Sequence, residues 1–298
     1  VKTIAELLEA AEKSGQKRVA VAAAQDASVL KALVGAWTKG FAEPILVGDL
    51  AAIDGLGAEL GLDLSRFERV QAEDPTAAAA EAVRLVRSGE ADFLMKGIVD
   101  SSILLKAAFN KEHGINSGSL ASHVELLEVA AYHKLLFVTD GAINIAPDIG
   151  AKIHIIANAV RAARALGVGV PKVALLAALE KVTEKMPSTV EAAIIAQMWR
   201  RGQIPLCIVD GPLALDNAVS AESARIKKIV SEVAGDADIL VAPDIEAGNV
   251  LCKALLDLGG AKGAGIVMGA AAPIVMASRS DSAETKLASI AFAALALN

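Results

Sequence analysis

The stretch Ser278-Arg-Ser-Asp-Ser-Ala-Glu284 sets a guanidinium and several hydroxyls where a helix is expected to begin, near Asp281 or Ser282. Arginine's planar fork and the unpaired amides of a helix N-terminus both suit a bound anion. The same residues suit a plainer arrangement, with Asp281 capping the helix and Arg279 paired to a carboxylate. A second stretch, Phe93-Leu-Met-Lys-Gly97, reads as a strand that delivers Lys96 and Gly97 to its carboxyl end, with Ser101 and Ser102 where a helix could start. An ammonium is a compact partner for phosphate, and glycine lets a backbone come close. The plain alternative is an exposed strand-end lysine. Three more polar loops follow apolar runs: Asp140 to Asp148 with Asn144 between them, Asp210 to Asp216, and Asp244 to Asn249. Each taken alone is explained by turn and capping chemistry. Five polar strand-end loops in one chain are more than structure alone requires.

Other chemistries lack their residues. His113, His123 and His133 recur every ten positions, which is neither a helical face nor a ligand spacing. They and His154 read as surface or capping residues. The chain has no zinc, calcium or phosphate-loop signature, no GxSxG elbow and no clean GxGxxG. No metal and no resident cofactor are therefore expected, and the chemistry would be done by positioning and electrostatics. Cys207 reads as buried in a strand and Cys252 as helical; two cysteines make neither a disulfide framework nor a zinc site. Such usage fits a reducing cytoplasm.

The elements that must position these loops are short apolar runs at 18–24, 44–48, 67–72, 92–96, 134–139, 173–179, 206–210, 239–242, 265–268 and 274–277. Most are continuous and β-branched, as in parallel strands covered on both faces. Alanine-rich helical stretches lie between them, with start signals at Asp74-Pro75 and Ser188-Thr-Val-Glu191. The alternation predicts an α/β architecture. With 298 residues, 54% of them apolar but only 3% aromatic, and a mean hydropathy of +0.49, the chain can bury a large core. No run approaches 18 apolar residues, so no membrane span is expected. Thr3-Ile-Ala-Glu6 reads as a capping box and not as a signal peptide. A net charge of −6 argues against a nucleic-acid partner.

In these residues the chain resembles the phosphate acetyl/butyryltransferase family, most of all its phosphate butyryltransferase branch. The resemblance is carried by Leu94-Met-Lys-Gly97, Ser117-Gly-Ser-Leu-Ala-Ser-His123, Thr139-Asp-Gly-Ala-Ile-Asn-Ile-Ala-Pro-Asp148, Asp210-Gly-Pro-Leu-Ala-Leu-Asp216, Val241-Ala-Pro-Asp-Ile-Glu-Ala-Gly-Asn249 and Ser278-Arg-Ser-Asp-Ser-Ala-Glu-Thr-Lys-Leu287. It implies direct transfer of a short acyl group, butyryl before acetyl, between coenzyme A and inorganic phosphate. It implies two α/β/α domains with a cleft, as in isocitrate and isopropylmalate dehydrogenases, and usually a homodimer or higher oligomer. The domains would be 1–120 plus 272–298, and 121–271. In the acetyl branch a Ser-Arg pair at this strand end serves the reacting groups, which carries onto Ser278 and Arg279. The base of that branch falls here on Thr285, so Asp281, the acid nearer Arg279, takes its place. Lys96, Gly97, Ser101, Asn144, Asp210, Asp244, Asn249 and Glu284 are the expected substrate-binding residues. The alternatives are a phosphate acetyltransferase, an NAD(P)-dependent hydroxy-acid dehydrogenase on the same fold with Asp210, Asp244 and Glu246 as its acids, and a two-lobed protein that only binds an anion.

Overall fold

The computed structural model describes residues 1–297. In chain order the elements are α1 (Ile4–Ser14), β1 (Lys17–Ala22), α2 (Ala27–Thr38), β2 (Ala42–Gly48), α3 (Leu50–Leu60), β3 (Glu68–Gln71), α4 (Pro75–Arg87), β4 (Phe93–Lys96), α5 (Ser101–Ala108), β5 (Ser122–Glu128) and β6 (Leu136–Thr139). They continue with α6 (Ile149–Ala165), β7 (Lys172–Leu176), α7 (Pro187–Arg200), β8 (Ile208–Leu213), α8 (Leu215–Val219), α9 (Ala221–Ile226), β9 (Ile239–Val241), α10 (Ile245–Lys253), β10 (Lys262–Met268), β11 (Ile274–Val275) and α11 (Ala283–Ala296). The chain divides into two compact units. One comprises Val1–Thr3 and Leu120–Gly263; the other comprises Ile4–Ser119 and the chain from Ala264 on.

The second of these orders its strands β3-β2-β1-β4-β11-β10. All neighbours are parallel except β10 and β11. The inner strands are mostly apolar, and β4 is buried at every position, Lys96 included, because helices cover both faces. The outer strand β3 is polar and mostly exposed, which blunts a sheet edge against pairing with another chain. Helices begin on aspartates just past strands: Asp26, Asp49 and Asp74 each accept a first-turn amide. The last helix, α11, buries ten of its residues and packs against α1 and α2.

The other unit orders its strands β5-β6-β9-β7-β8. Here β5 and β6 are antiparallel and the rest parallel, so the sheets are mixed and not purely parallel. The expected capping box at Ser188 does not form. Helix α7 starts at Pro187 after Met186, without a side-chain cap, and Glu191 instead pairs with the buried Lys152 of α6. No helix among the described residues is long and apolar enough to cross a membrane.

Candidate active site

Lys96 ends β4, and Ser278 is the third residue after β11. These strands are parallel neighbours, and β1 flanks β4, so their carboxyl ends share one side of the sheet. Lys96 is buried, not an exposed strand-end lysine. Among the described residues its Nζ reaches only the carbonyls of Val99 and Gly97, at 3.4 and 3.5 Å. Burial and then the charges of Arg279 and Lys286 hold its ammonium below the usual lysine range, only partly offset by Asp100 and Asp26. Arg279 Nη2 reaches the Ile98 carbonyl at 3.4 Å and Lys286 Nζ the Ser278 carbonyl at 3.2 Å, so three cations gather around these strand ends.

Gly97 is fixed by the fold itself. A Cβ there would stand 2.0 Å from the Ala23 carbonyl oxygen and 2.7 Å from that of Ala22. The Gly97 and Ile98 amides donate to these same two carbonyls, each at 2.9 Å. The close approach that glycine permits is to the protein's own chain. Ser101 opens α5 after Asp100, whose carboxylate makes no cap hydrogen bond. It accepts from Arg279 Nη2 at 2.5 Å instead.

The loop after β11 is a tight turn. The Ser278 amide donates to Asp281 Oδ2 at 2.6 Å, and the Asp281 amide returns to the Ser278 carbonyl at 3.2 Å. Asp281 thus closes the turn and does not cap the helix. Ser282 is the cap and accepts from the Thr285 amide, and its hydroxyl helps hold the Glu284 carboxyl below the usual range. Ser278 and Ser280 share a hydroxyl contact of 3.0 Å. Lys286, which the sequence reading left out, is buried on α11 and donates to the carbonyls of Asp281 and Ser278 at 2.7 and 3.2 Å. Only its membership in the Ser278 to Leu287 motif signalled it.

In the unit built on Leu120–Gly263, the carboxyl ends of β6 and β9 carry the other polar loops. The buried Asp140 accepts from the amides of Ala142, Ile143 and Asn144. Asn144 Nδ2 donates to Asp140 Oδ2 at 2.6 Å and to the Ala121 carbonyl at 2.8 Å. Asn249 Nδ2 donates to the Gly141 carbonyl at 3.0 Å. Gly141 and Gly248 allow this meeting, since a Cβ on Gly248 would stand 2.6 Å from the Asp140 carbonyl. Asp244 caps α10 through the Ala247 amide. Asp210 does not follow a strand but lies within β8, which runs to Leu213 along the sheet edge, where Pro212 costs no ladder bond. With Trp199, Arg200 and Glu232 it lines a cavity of about 520 Å³. His123 is neither a surface nor a capping residue. It is buried on β5 with Nε2 3.7 Å from Glu125 Oε2.

Of the expected residues, Lys96, Gly97, Ser101, Ser278, Arg279, Asp281 and Glu284 fall in the unit that holds α11. Asn144, Asp210, Asp244 and Asn249 fall in the other, where Asn144 and Asn249 meet at the Asp140 turn and Asp210 lies apart in β8. Among the described residues no group of three or more His, Cys, Asp or Glu side chains is gathered to hold a metal ion. Both cysteines are free and buried. Burial pushes the Cys207 thiol up to about 11. Burial, with the charges of Glu125 and Asp140, pushes Cys252 up to about 12.

A buried lysine, an arginine fork and a second buried lysine around adjacent strand ends suit a multiply charged oxyanion. Residues 75–294, which span every candidate above, match the family model described as phosphate acetyl/butaryl transferase. Over 294 residues the chain is 46% identical to phosphate butyryltransferase from Clostridium beijerinckii, covering 99% of this chain and 97% of that one. It is 46% identical over 289 residues to phosphate acetyltransferase from Rhizobium meliloti, covering 97% and 92%. The crystal structure of a branched-chain phosphotransacylase from Enterococcus faecalis superposes with a TM-score of 0.84 at 36% identity, over 94% of this chain and 99% of that one. Matches of this strength, reaching through both units, make the chain a member of the phosphate acetyl/butaryl transferase family.

Proposed function

We propose that the protein transfers a short-chain acyl group between coenzyme A and phosphate, acyl-CoA + phosphate ⇌ acyl phosphate + CoA, and that butyryl or a branched analogue is preferred to acetyl. The observation that carries this reading is the gathering of Lys96, Arg279 and Lys286 at the carboxyl ends of β4 and β11, where they donate to the carbonyls of Gly97, Ile98 and Ser278. A phosphate oxygen attacks the thioester carbonyl carbon, the C–S bond breaks, and the proton carried by phosphate ends on the departing sulfur. Lys96 and Arg279 hold the phosphate, with Ser101 beside them at the start of α5. The carbonyl oxygen gains charge as the bond forms and needs a fixed donor; in this reading Ser278 and the Arg279 fork supply it. Asp281 is the proposed proton carrier: Oδ2 is held by the Ser278 amide, while Oδ1 takes no hydrogen bond among the described residues. The isocitrate/isopropylmalate dehydrogenase-like fold, the cytoplasmic location and a homo-oligomeric state belong to the same proposal and rest on family resemblance.

The test is phosphate-dependent release of coenzyme A from acyl-CoAs running from acetyl to hexanoyl. The expected result is turnover with the highest kcat/KM at butyryl or a branched four- to five-carbon chain. One methylene is worth only about 1–3 kcal/mol of discrimination, so the optimum is a gradient and not a cut-off. A preference for acetyl-CoA would reverse the acyl assignment. No release from any of them would sink the reaction itself.

A further inference from the structure

Lys286 occupies a costly place for a charge. It is 3% exposed. It sits in the second turn of α11, near the end where the helix dipole is positive. Lys96 feels its charge and that of Arg279. Among the described residues its hydrogen bonds go to two main-chain carbonyls, those of Ser278 and Asp281, and to no carboxylate. Its charge helps hold the carboxyl of Asp26, the cap of α2, below the usual range, and that carboxylate is already occupied by Ser28 and the Val29 amide. Asp100, the other acid near Lys96, is engaged by Arg279. A methionine would fill the same volume without burying a charge. The two carbonyls it binds bracket the turn that carries Arg279, so the ammonium fixes both ends of that turn.

We propose that Lys286 is a positioning residue for phosphate: its ammonium clamps the Ser278–Asp281 turn, and its charge completes with Lys96 and Arg279 a three-cation site whose mutual repulsion is relieved when the anion enters. The proposal rests on the reading that this strand end binds phosphate. It assigns Lys286 to the anion and not to the acyl or coenzyme A part of the substrate.

The test compares the wild-type protein with Lys286→Met and Lys286→Gln. The first removes both charge and donors; the second removes the charge and keeps an amide donor. Steady-state kinetics give KM for phosphate and for butyryl-CoA separately, and thermal unfolding with and without inorganic phosphate gives the ligand's protective shift. The expected result is a phosphate KM at least tenfold higher in both variants. KM for butyryl-CoA stays within about twofold, and the phosphate-dependent shift in Tm is lost. In Lys286→Gln kcat is retained better than in Lys286→Met. A merely structural lysine would lower Tm in phosphate-free buffer and leave the kinetic constants of the folded fraction alone. Should Lys286→Met fail to fold, Lys286→Gln carries the comparison. An unchanged phosphate KM and an unchanged phosphate shift in folded Lys286→Gln would overturn the proposal. Wild-type protein that is stabilised by phosphate yet releases no coenzyme A from any acyl-CoA would sink the reaction. Loss of that stabilisation in Lys286→Gln would still uphold the clamp.

Discussion

Arg279 donates to the Asp100 carboxylate at 2.5 Å, joining the loop after β11 to the loop after β4. Both side chains are more than 60% exposed, and an exposed ion pair contributes only about 0–1 kcal/mol. The pair therefore orients the guanidinium far more than it stabilises the fold. Arg279→Ala is expected to lose roughly 10²-fold or more in kcat, as for other removed transition-state donors. Its Tm should stay within a few degrees of wild type. Arg279→Lys keeps the charge without the fork and should fall between. Normal kcat in a folded Arg279→Ala protein would take Arg279 off the catalytic list.

Gly97 admits no side chain. The atoms that a Cβ would strike are main-chain oxygens of the neighbouring strand end, and these cannot rotate away. Gly97→Ala is expected to cost about 3 kcal/mol, the upper range for forcing a methyl into a filled site. Chemical denaturation measures this directly. A wild-type midpoint would mean that the ends of β1 and β4 separate without penalty.

Neither thiol is placed to act as a nucleophile. Both are buried and have pKa values raised to about 11 and about 12, so at neutral pH almost no thiolate is present. Cys207→Ala and Cys252→Ala are expected to keep turnover within a few-fold, with some loss of stability at Cys252, which packs in a buried apolar cluster. Mass spectrometry of protein quenched during turnover should find no acyl group on either residue. An acyl-enzyme at Cys207 or Cys252 would refute direct transfer.

Asp236 links acid pH to stability. Burial alone would raise its pKa, but hydrogen bonds from Lys172, Lys134 and His133 outweigh it and hold the carboxyl well below the usual range. A folded-state pKa below the unfolded value, about 3.9, adds stability that is complete above that value and fades as pH falls toward the folded one. Asp236→Asn should therefore lower Tm at pH 7. The gap from wild type should narrow below about pH 4. A gap that stayed constant from pH 7 to pH 3 would show that the carboxylate's charge contributes nothing.

The strands that lie between covering helices were legible because burial on both faces leaves unbroken apolar runs, as at 18–24 and 92–96. β5 was missed because Ser122, His123 and Glu125 interrupt its apolar pattern while still being buried. β8 was read as ending at Asp210 because Asp-Gly-Pro spells a turn; at a sheet edge the same residues continue a strand. At the site, the motif loops announced themselves through their polar residues, but not the work each residue does. Asp281 and Ser282 are equally good caps on paper, and only three-dimensional reach decides that Asp281 turns back to Ser278. Lys96 and Lys286 look like surface lysines because sequence shows neither the walls around an ammonium nor the carbonyls it faces.

The late return of the chain has a consequence in time. Strand β11 lies between β4 and β10, and α11 packs on α1 and α2. During synthesis β4 and β11 leave the ribosome about 180 residues apart, and α2 and α11 about 250, delays of roughly 9–50 s at ordinary elongation rates. For that interval β4 has no neighbour on one side, and the apolar faces of α1 and α2 meet water or a chaperone. The inserted segment from Leu120 to Gly263 is contiguous and can close first. The cation-lined strand end thus comes into being only after residues 274–286 emerge, so the nascent chain carries Lys96 long before it carries a place for phosphate.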